Sequence, residues 1–337
     1  LSKNAERGIE RVFFREDFRR VYLDDIGTIQ YAPRVLETYI DGFLGTVNVE
    51  AIRQAQFKIV ADYAHAPTSE VLSPILTELG VEVVPLSAHV DGEKMSLLPM
   101  EFEKALRQLT LITGVLDTTL GVRLDVGGEK IFLVDHQGQY VPDLVASAAM
   151  ASLALESNRG GTIVAPVHLP SILEAIAAQY DARVLRCKMD PHALMTATAH
   201  EGVIMAADGM GNFIFPQFQP VIDGLMAVVK LLEFLAIQET TLSAVVSRLP
   251  DFHVGRSEVS CPWETKGKVM RLLNQQYKDR RAEMIDGIKI LLGEQEWVLI
   301  LPDPDYPKFH IYAEARTDAE AQELVDRYIR IVKGLQE

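Results

Sequence analysis

The sequence predicts an α/β protein of several domains, two layered units of alternating strands and helices followed by a smaller α+β unit. Three observations lead there. At 337 residues the chain is long for one hydrophobic core, and about two to four domains are the expectation. Strand-like apolar runs alternate with amphipathic stretches twice over, in similar size and order, which suggests an internal duplication although no residue motif repeats. Beyond Pro250 the order changes to successive strands between two helices.

Taken in order, residues 4 to 22 place Ile9, Val12, Phe13, Phe18 and Val21 among many charges, an irregular helical pattern. Tyr31 to Phe43 reads as a second helix that opens near Pro33 and ends at Gly45. FKIVADYAH from Phe57 is a buried strand, Pro67 to Leu79 a helix ended by Gly80, VEVVPLSAH the next strand, and Met100 to Leu109 a helix. The stretch TTLGVRLDVGGEKIFLVD, Thr118 to Asp135, follows. Val122 and Leu124 alternate with Arg123 and Asp125, a turn with Gly127 and Gly128 carries acidic groups, and Ile131 to Val134 returns. Two readings stay open for this turn, a hairpin with solvated charges or carboxylates converging on a cation.

In the second unit Leu144 to Leu155 is an alanine-rich helix, GGTIVAPV a strand, Ser171 to Tyr180 a helix and ARVLRCK a strand. EGVIMAADGMGNFIFPQF is a broken extended segment bending at Gly209 and Gly211, and VIDGLMAVVKLLEFLA a strongly apolar helix. The last unit reads SEVSCPW, a helix from Thr265 to Tyr277, the strands IDGIKILL, EWVLILP and FHIYAEA, and a helix from Asp318 to Lys333.

Composition narrows the function classes. Charged residues are 24% and apolar residues 48%, an ordinary globular profile clear of disorder. A net charge of −14 argues against nucleic acid or anionic lipid as partner, because both are held by clustered Lys and Arg. The basic clusters at Arg15, Arg19 and Arg20 and at Lys278 to Arg281 are interleaved with acids and read as solvated helix faces. Cys187 and Cys261 lack zinc or disulfide spacing and suit a reducing cytoplasm. No signal-like opening and no run of about 18 uncharged apolar residues is present, so a cytoplasmic protein without a membrane partner is expected. The chain opens on Leu1, which leaves a processed product or a part of a longer polypeptide open.

The eight histidines, His65, His89, His136, His168, His192, His200, His253 and His310, have no metal-ligand spacing. His168, in the APVHLP turn after a strand, falls where ligands bind in layered α/β sheets.

In its surroundings the glycine turn resembles the metal loop of the phosphohexomutases, the phosphomannomutase and phosphoglucomutase family, which reads D-G-D-x-D-R and holds magnesium on three aspartates. Here the places are Asp125, Val126, Gly127, Gly128, Glu129 and Lys130. One carboxylate is kept, one is glycine and one is lengthened to glutamate, which weakens a site for an ion that demands near-octahedral oxygen geometry. The resemblance runs through nearly the whole chain: FKIVADYAHAPTSEVLSPILTELGVEVV is similar to the opening of the family's second domain, VIDGLMAVVKLLEFLA to the helix after its sugar loop, and IDGIKILLGEQEWVLILPDPDYPKFHIYAEA to its fourth domain. It implies a remnant of a first domain over 1–54, layered α/β/α domains over 55–140 and 141–252, and a TATA-box-binding-protein-like domain over 253–337.

The remaining family loops are changed. No T-A-S-H-N-P phosphoserine stretch occurs, and Ser2 and Ser69 lie in unrelated contexts. The sugar loop G-E-x-S-G-H falls on Ala207, Asp208, Gly209, Met210, Gly211 and Asn212, so Asp208 and Asn212 keep hydrogen-bonding capacity that Met210 does not. The phosphate loop R-P-S-G-T-E-P falls on Leu301, Pro302, Asp303, Pro304, Asp305, Tyr306 and Pro307, without cation or glycine. Two unit charges 4 Å apart repel by about 4 kcal/mol at an effective dielectric of 20, so a phosphate facing Asp303 and Asp305 is disfavoured, and the run reads as a rigid, solvated turn. Arg186 and Lys188 fall where the family reads R-T-x-V-G and are the cations expected to meet an anion.

What the resemblance implies is therefore a phosphohexomutase-like module of carbohydrate metabolism without catalysis. It would be a structural or regulatory part of a sugar-nucleotide enzyme of the mannose-1-phosphate guanylyltransferase type, beside a fused or associated nucleotidyltransferase domain. A sugar phosphate or sugar nucleotide is the expected ligand, and a homo-oligomer is left open. The alternative is an active mutase, an intramolecular phosphotransferase using Mg2+, whose phosphoserine domain lies outside this chain.

Overall fold

The computed structural model describes residues 3–95, 98–277, 281–293 and 295–336. Ser2 and Lys278 to Arg280 of the basic run lie outside them. The chain divides into Leu1–Tyr39 and Ile40–Glu337.

In the first unit α1 spans Lys3–Arg15 and stops short of the expected residue 22. Glu16 adopts a left-handed φ of 51°. Its N–H bonds Phe13 O at 3.2 Å and that of Asp17 bonds Val12 O at 3.1 Å, a closure that takes up the last free carbonyls and ends the helix. A short 3-10 turn covers Leu23–Asp25, and α2, Val35–Leu44, runs across the division between the units.

The larger unit opens with α3 (Val49–Ala55), a helix with no sequence expectation, started by Asn48, whose side chain accepts the Ala51 N–H at 3.0 Å. The first layered domain follows as β1 (Lys58–Asp62), α4 (Thr68–Glu78), β2 (Glu82–Leu86), α5 (Pro99–Val115), β3 (Leu120–Leu124), β4 (Ile131–Asp135) and β5 (Tyr140–Val141). Its sheet order is β2-β1-β3-β4-β5, parallel among the first three and antiparallel beyond. Parallel strands are covered on both faces. Every residue of β3 is accordingly buried, Arg123 included, while Glu129 in the turn that follows is exposed. Arg123 pairs with Asp62, its register partner on β1, and its guanidinium stands 5.7 Å from the Phe102 ring centre.

The second layered domain comprises α6 (Asp143–Asn158), β6 (Thr162–Pro166), α7 (Ile172–Ala178), β7 (Arg183–Cys187), α8 (Pro191–Ala197), β8 (Val203–Ala207), β9 (Phe213–Ile214), α9 (Gly224–Ile237) and α10 (Leu242–Val246). Its order, β7-β6-β8-β9, with three parallel strands and one antiparallel, repeats that of the first sheet. The duplication expected from element order is thus present in topology. Helix α9 is buried nearly all round, and each apolar side chain so placed stabilises by about 1.5–3 kcal/mol. Its two charges are paired: Lys230 Nζ reaches Glu233 at 2.7 Å and Thr46 O at 2.8 Å, while Glu233 accepts the Asn48 N–H at 2.7 Å. Residues 46–55 therefore pack with the layered domains.

The last part comprises β10 (His253–Ser260), α11 (Trp263–Gln276), β11 (Ala282–Glu283), β12 (Ile288–Leu291), β13 (Trp297–Pro302), β14 (Lys308–Ala315) and α12 (Asp318–Gly334). Its antiparallel sheet runs β10-β14-β13-β12-β11. Successive side chains of a strand face opposite ways, which divides its labour. Phe309, Ile311, Ala313, Val298 and Ile300 form a core with Val325 and Tyr328 of α12. Trp297, Leu299 and Leu301 face the other way and meet Val167 of the second layered domain. Among the described residues no helix is long and apolar enough to cross a membrane.

Candidate functional site

Each layered sheet turns from its last parallel strand to its antiparallel strand through one of the loops singled out in the sequence. Between β3 and β4, Asp125 Oδ1 accepts the N–H groups of Glu129 at 2.8 Å and Lys130 at 2.9 Å. Between β8 and β9, Asp208 Oδ1 accepts those of Met210 at 2.8 Å and Asn212 at 3.2 Å, and its Oδ2 takes the Asn212 side-chain amide at 2.6 Å. Both aspartates thus close their own turns.

The first turn also bonds to the second and to the start of α9. Ile131 N–H donates to Gly211 O at 3.0 Å, and Gly224 N–H to Gly128 O at 2.9 Å. This approach explains two glycines: a Cβ would stand 2.7 Å from Ile131 O at Gly211, whose φ is +87°, and 2.7 Å from Gly128 O at Gly224. Asp143, which the sequence reading passed over, lies close by and accepts the Tyr140 hydroxyl at 2.6 Å. Burial raises its pKa, the Tyr140 bond lowers it, nearby Asp208 adds to the rise and Lys130 opposes it.

These residues do not fit magnesium. Asp125 is committed to backbone amides, Glu129 is exposed, and no group of three His, Cys, Asp or Glu side chains among the described residues is arranged to hold an ion.

The third loop joins β13 to β14. Pro304 to Pro307 form an exposed turn, whereas Asp303 at its start is only 8% exposed and turns inward. Asp303 Oδ1 accepts the N–H groups of Asp305 at 2.8 Å and Tyr306 at 2.9 Å, and Oδ2 meets His310 Nε2 at 2.7 Å. Burial alone would raise its pKa. The two amides and His310 outweigh that and hold it at about 2. Lys266 Nζ binds Asp303 O at 2.6 Å and Tyr306 O from the other side, with its charge 3.9 Å from the Trp263 ring centre. Lys308 pairs with Glu258 at 2.8 Å. The sequence reading missed Lys266, Lys308 and Glu258. For Glu258 and Lys308 the signal is the strand alternation that sets Glu258 opposite His310; Lys266, on α11, carried none.

The expected anion cations part company. Arg186 spends its five donors internally, Nε and Nη2 on Glu174 at 2.8 and 2.6 Å, and Nη1 and Nη2 on the carbonyls of Pro166, Leu169 and Pro170 at 3.0–3.1 Å. It is a strut of the β6–α7 turn and has no donor left for a ligand. Lys188 is exposed. His168 is 8% exposed, beside Tyr312 with ring centres 5.3 Å apart. Burial first, then the charges of Arg186, Lys289 and Arg256, push it down to about 4, against a hydrogen bond to the Asp208 carbonyl. Its Nδ1 is buried without a partner.

Around His168 the second layered domain and the last sheet enclose a cavity of about 100 Å³, lined among others by Gly209, Met210, Arg256, Trp297 and Tyr312. Below it runs a polar seam. Glu314 accepts the Ser171 N–H at 2.8 Å, its hydroxyl at 2.7 Å and the Trp297 indole N–H. Lys289 donates to Val167 O at 3.0 Å and lies 4.0 Å from the Trp297 ring centre. Burial and nearby Arg186 push Lys289 down to about 8.

Two layered α/β domains of one strand order, bonded to each other at their turns and followed by an antiparallel sheet, are the architecture of a known class of sugar-phosphate mutases. The descriptions "Phosphoglucomutase/phosphomannomutase, alpha/beta/alpha domain II" and "domain III" match residues 37–138 and 142–252, and the chain belongs to the phosphoglucomutase/phosphomannomutase family, the α-D-phosphohexomutases. The match begins before the strand-based boundary at 55, in keeping with the packing of α3 on α9. A phosphoglucomutase/phosphomannomutase of Thermococcus kodakarensis is 27% identical over 334 residues, 99% of this chain and 73% of that protein. A phosphoglucosamine mutase of Methanocaldococcus jannaschii is 25% identical over 340 residues, 99% of this chain and 75% of that protein. The crystal structure of a phosphoglucomutase/phosphomannomutase family protein from Burkholderia thailandensis superposes with a TM-score of 0.79 at 19% identity, covering 99% of this chain and 71% of that one, a likeness of fold.

Proposed function

We propose that this chain is a phosphohexomutase-family module without phosphoryl transfer, serving as a structural or regulatory part of a sugar-nucleotide enzyme of the mannose-1-phosphate guanylyltransferase type, alongside a nucleotidyltransferase domain. The reading rests on Asp303. Its carboxylate takes the two amides and the imidazole that the β13–β14 loop would otherwise offer an incoming phosphate. With its pKa held at about 2 it is anionic at neutral pH, so a phosphate meets repulsion where it needs donors. The spent donors of Arg186 and the self-closed turns at Asp125 and Asp208 support the same reading.

A second reading, a magnesium-dependent phosphomannomutase or phosphoglucomutase whose phosphoserine domain lies outside this chain, is favoured by a relative of that name at 27% identity along 99% of the chain. Two measurements separate them. Conversion of mannose 1-phosphate or glucose 1-phosphate to the 6-phosphate in magnesium by the longest natural form of the protein is expected to be undetectable, and turnover overturns the first reading. Calorimetry with the same sugar phosphates is expected to show no binding at the Asp303 loop. The assembly role is tested by co-elution with a mannose-1-phosphate guanylyltransferase domain, and separate elution removes that part.

A further inference from the structure

We propose that the last domain is a fixed stopper on the second layered domain: Asp286, Lys289 and Glu314 grip main-chain groups of the loops after β6 and β7, and these grips part only in one concerted step. This goes beyond the loss of phosphoryl transfer, and the two fail separately, because the readout is amide exchange and not turnover.

The place comes first. In the order β7-β6-β8-β9 the chain runs from β6 outward to β7 and then back to β8, so the crevice where ligands enter open α/β sheets lies beyond the carboxyl end of β6. One face of the last sheet covers that end. Strand alternation sends Lys289, Trp297, Leu299 and Glu314 to the face turned away from α12, where Trp297 and Leu299 meet Val167, just past β6. The space left beside His168 is about 100 Å³, room for about three or four non-hydrogen atoms and far too little for a sugar phosphate.

The chemistry comes second. Each of the three charges meets a main-chain group of the neighbouring domain. Glu314 accepts the Ser171 N–H at 2.8 Å, Lys289 donates to Val167 O at 3.0 Å, and Asp286 accepts the Met189 N–H at 2.9 Å. Glu314 and Lys289 are only 3% and 5% exposed. Burying a charge is costly unless it is hydrogen-bonded, and the second layered domain supplies these bonds. Bonds to charged groups are also the stronger kind, and a main-chain partner cannot rotate out of reach as a side chain can, so the three fix one orientation of the sheet.

The dependence runs the other way as well. Among the described residues, the N–H groups of Ser171 and Met189 have no partner within their own domain, and the last domain alone holds them. Their exchange with solvent therefore reports undocking.

Hydrogen exchange is followed residue by residue in the full chain, with amides inside α9, packed on α3, α6 and β9, as the reference. Ser171 and Met189 are expected to share one protection factor to within about tenfold. Glu314→Gln removes the charge that holds Ser171, and Asp286→Ala the one that holds Met189. Each is expected to speed both amides by about ten- to a hundredfold, the amide it does not touch included, and to leave α9 unchanged. Asp286 is half-buried, so its variant carries the test alone should the Glu314 variant not fold. A variant that speeds only its own amide, exchange of either amide at open-loop rates in the unsubstituted chain, or an equal quickening of α9 each overturns the assignment.

Discussion

The β3–β4 and β8–β9 turns occupy the same place in two sheets of the same strand order, and each is closed by an aspartate that accepts backbone amides. They differ in setting. Asp125 is half-buried beside an exposed Glu129, whereas Asp208 is 7% exposed, holds the Asn212 side chain as well, and backs onto the cavity beside His168. One backbone plan thus yields a solvent-facing turn in one domain and a wall of a small cavity in the other. What separates them is burial.

The comparison can be broken at its foundations first. Arg123→Leu leaves Asp62 buried without its cation in the sheet that carries the first turn, and a loss of about 3–5 kcal/mol is expected in urea unfolding. A loss below about 1 kcal/mol would mean that the pair does not hold β1 to β3. Next, Asp208→Ala removes an acceptor of three hydrogen bonds, two of them to buried Asn212, and is expected to cost about 2–3 kcal/mol; Asp125→Ala, at a wetter turn, is expected to cost about 1 kcal/mol. Equal losses would refute burial as the difference.

A further effect is in pH. His168 is held at about 4 in the folded chain against an ordinary value near 6.5, so between these values the unfolded chain binds the extra proton. Stability from this residue is complete above about pH 6.5 and falls as pH drops toward 4. His168→Gln should remove that part of the slope and no other, as read by unfolding midpoints across the window.

Much of the architecture was legible because periodicity reports burial. The alternation of the first unit, the glycine stop at Gly80 and the apolar run of α9 all correspond to elements. The short helices α3, α8 and α10 escaped for lack of enough turns to show a period. Even so, α8 carried its signal in Asp190 and Pro191, a capping side chain and a first-turn proline, and Asp190 does accept the His192 N–H at 2.8 Å. Of the site, the three loops were visible as departures from a family pattern. Their internal hydrogen bonds were not, because an aspartate that binds a ligand and one that binds its own backbone are the same letter. Arg186 and Arg256 make the point from the other side: position along the chain favoured the first, and only packing shows that its donors are consumed while those of the second are not.

The lacing of the paired turns, Ile131 to Gly211 and Gly224 to Gly128, runs through main-chain atoms alone. Such stitches ask nothing of the side chains around them beyond room for two glycines. Apart from those glycines and the aspartates that close each turn, the side chains at these bends have no part in holding the halves in register.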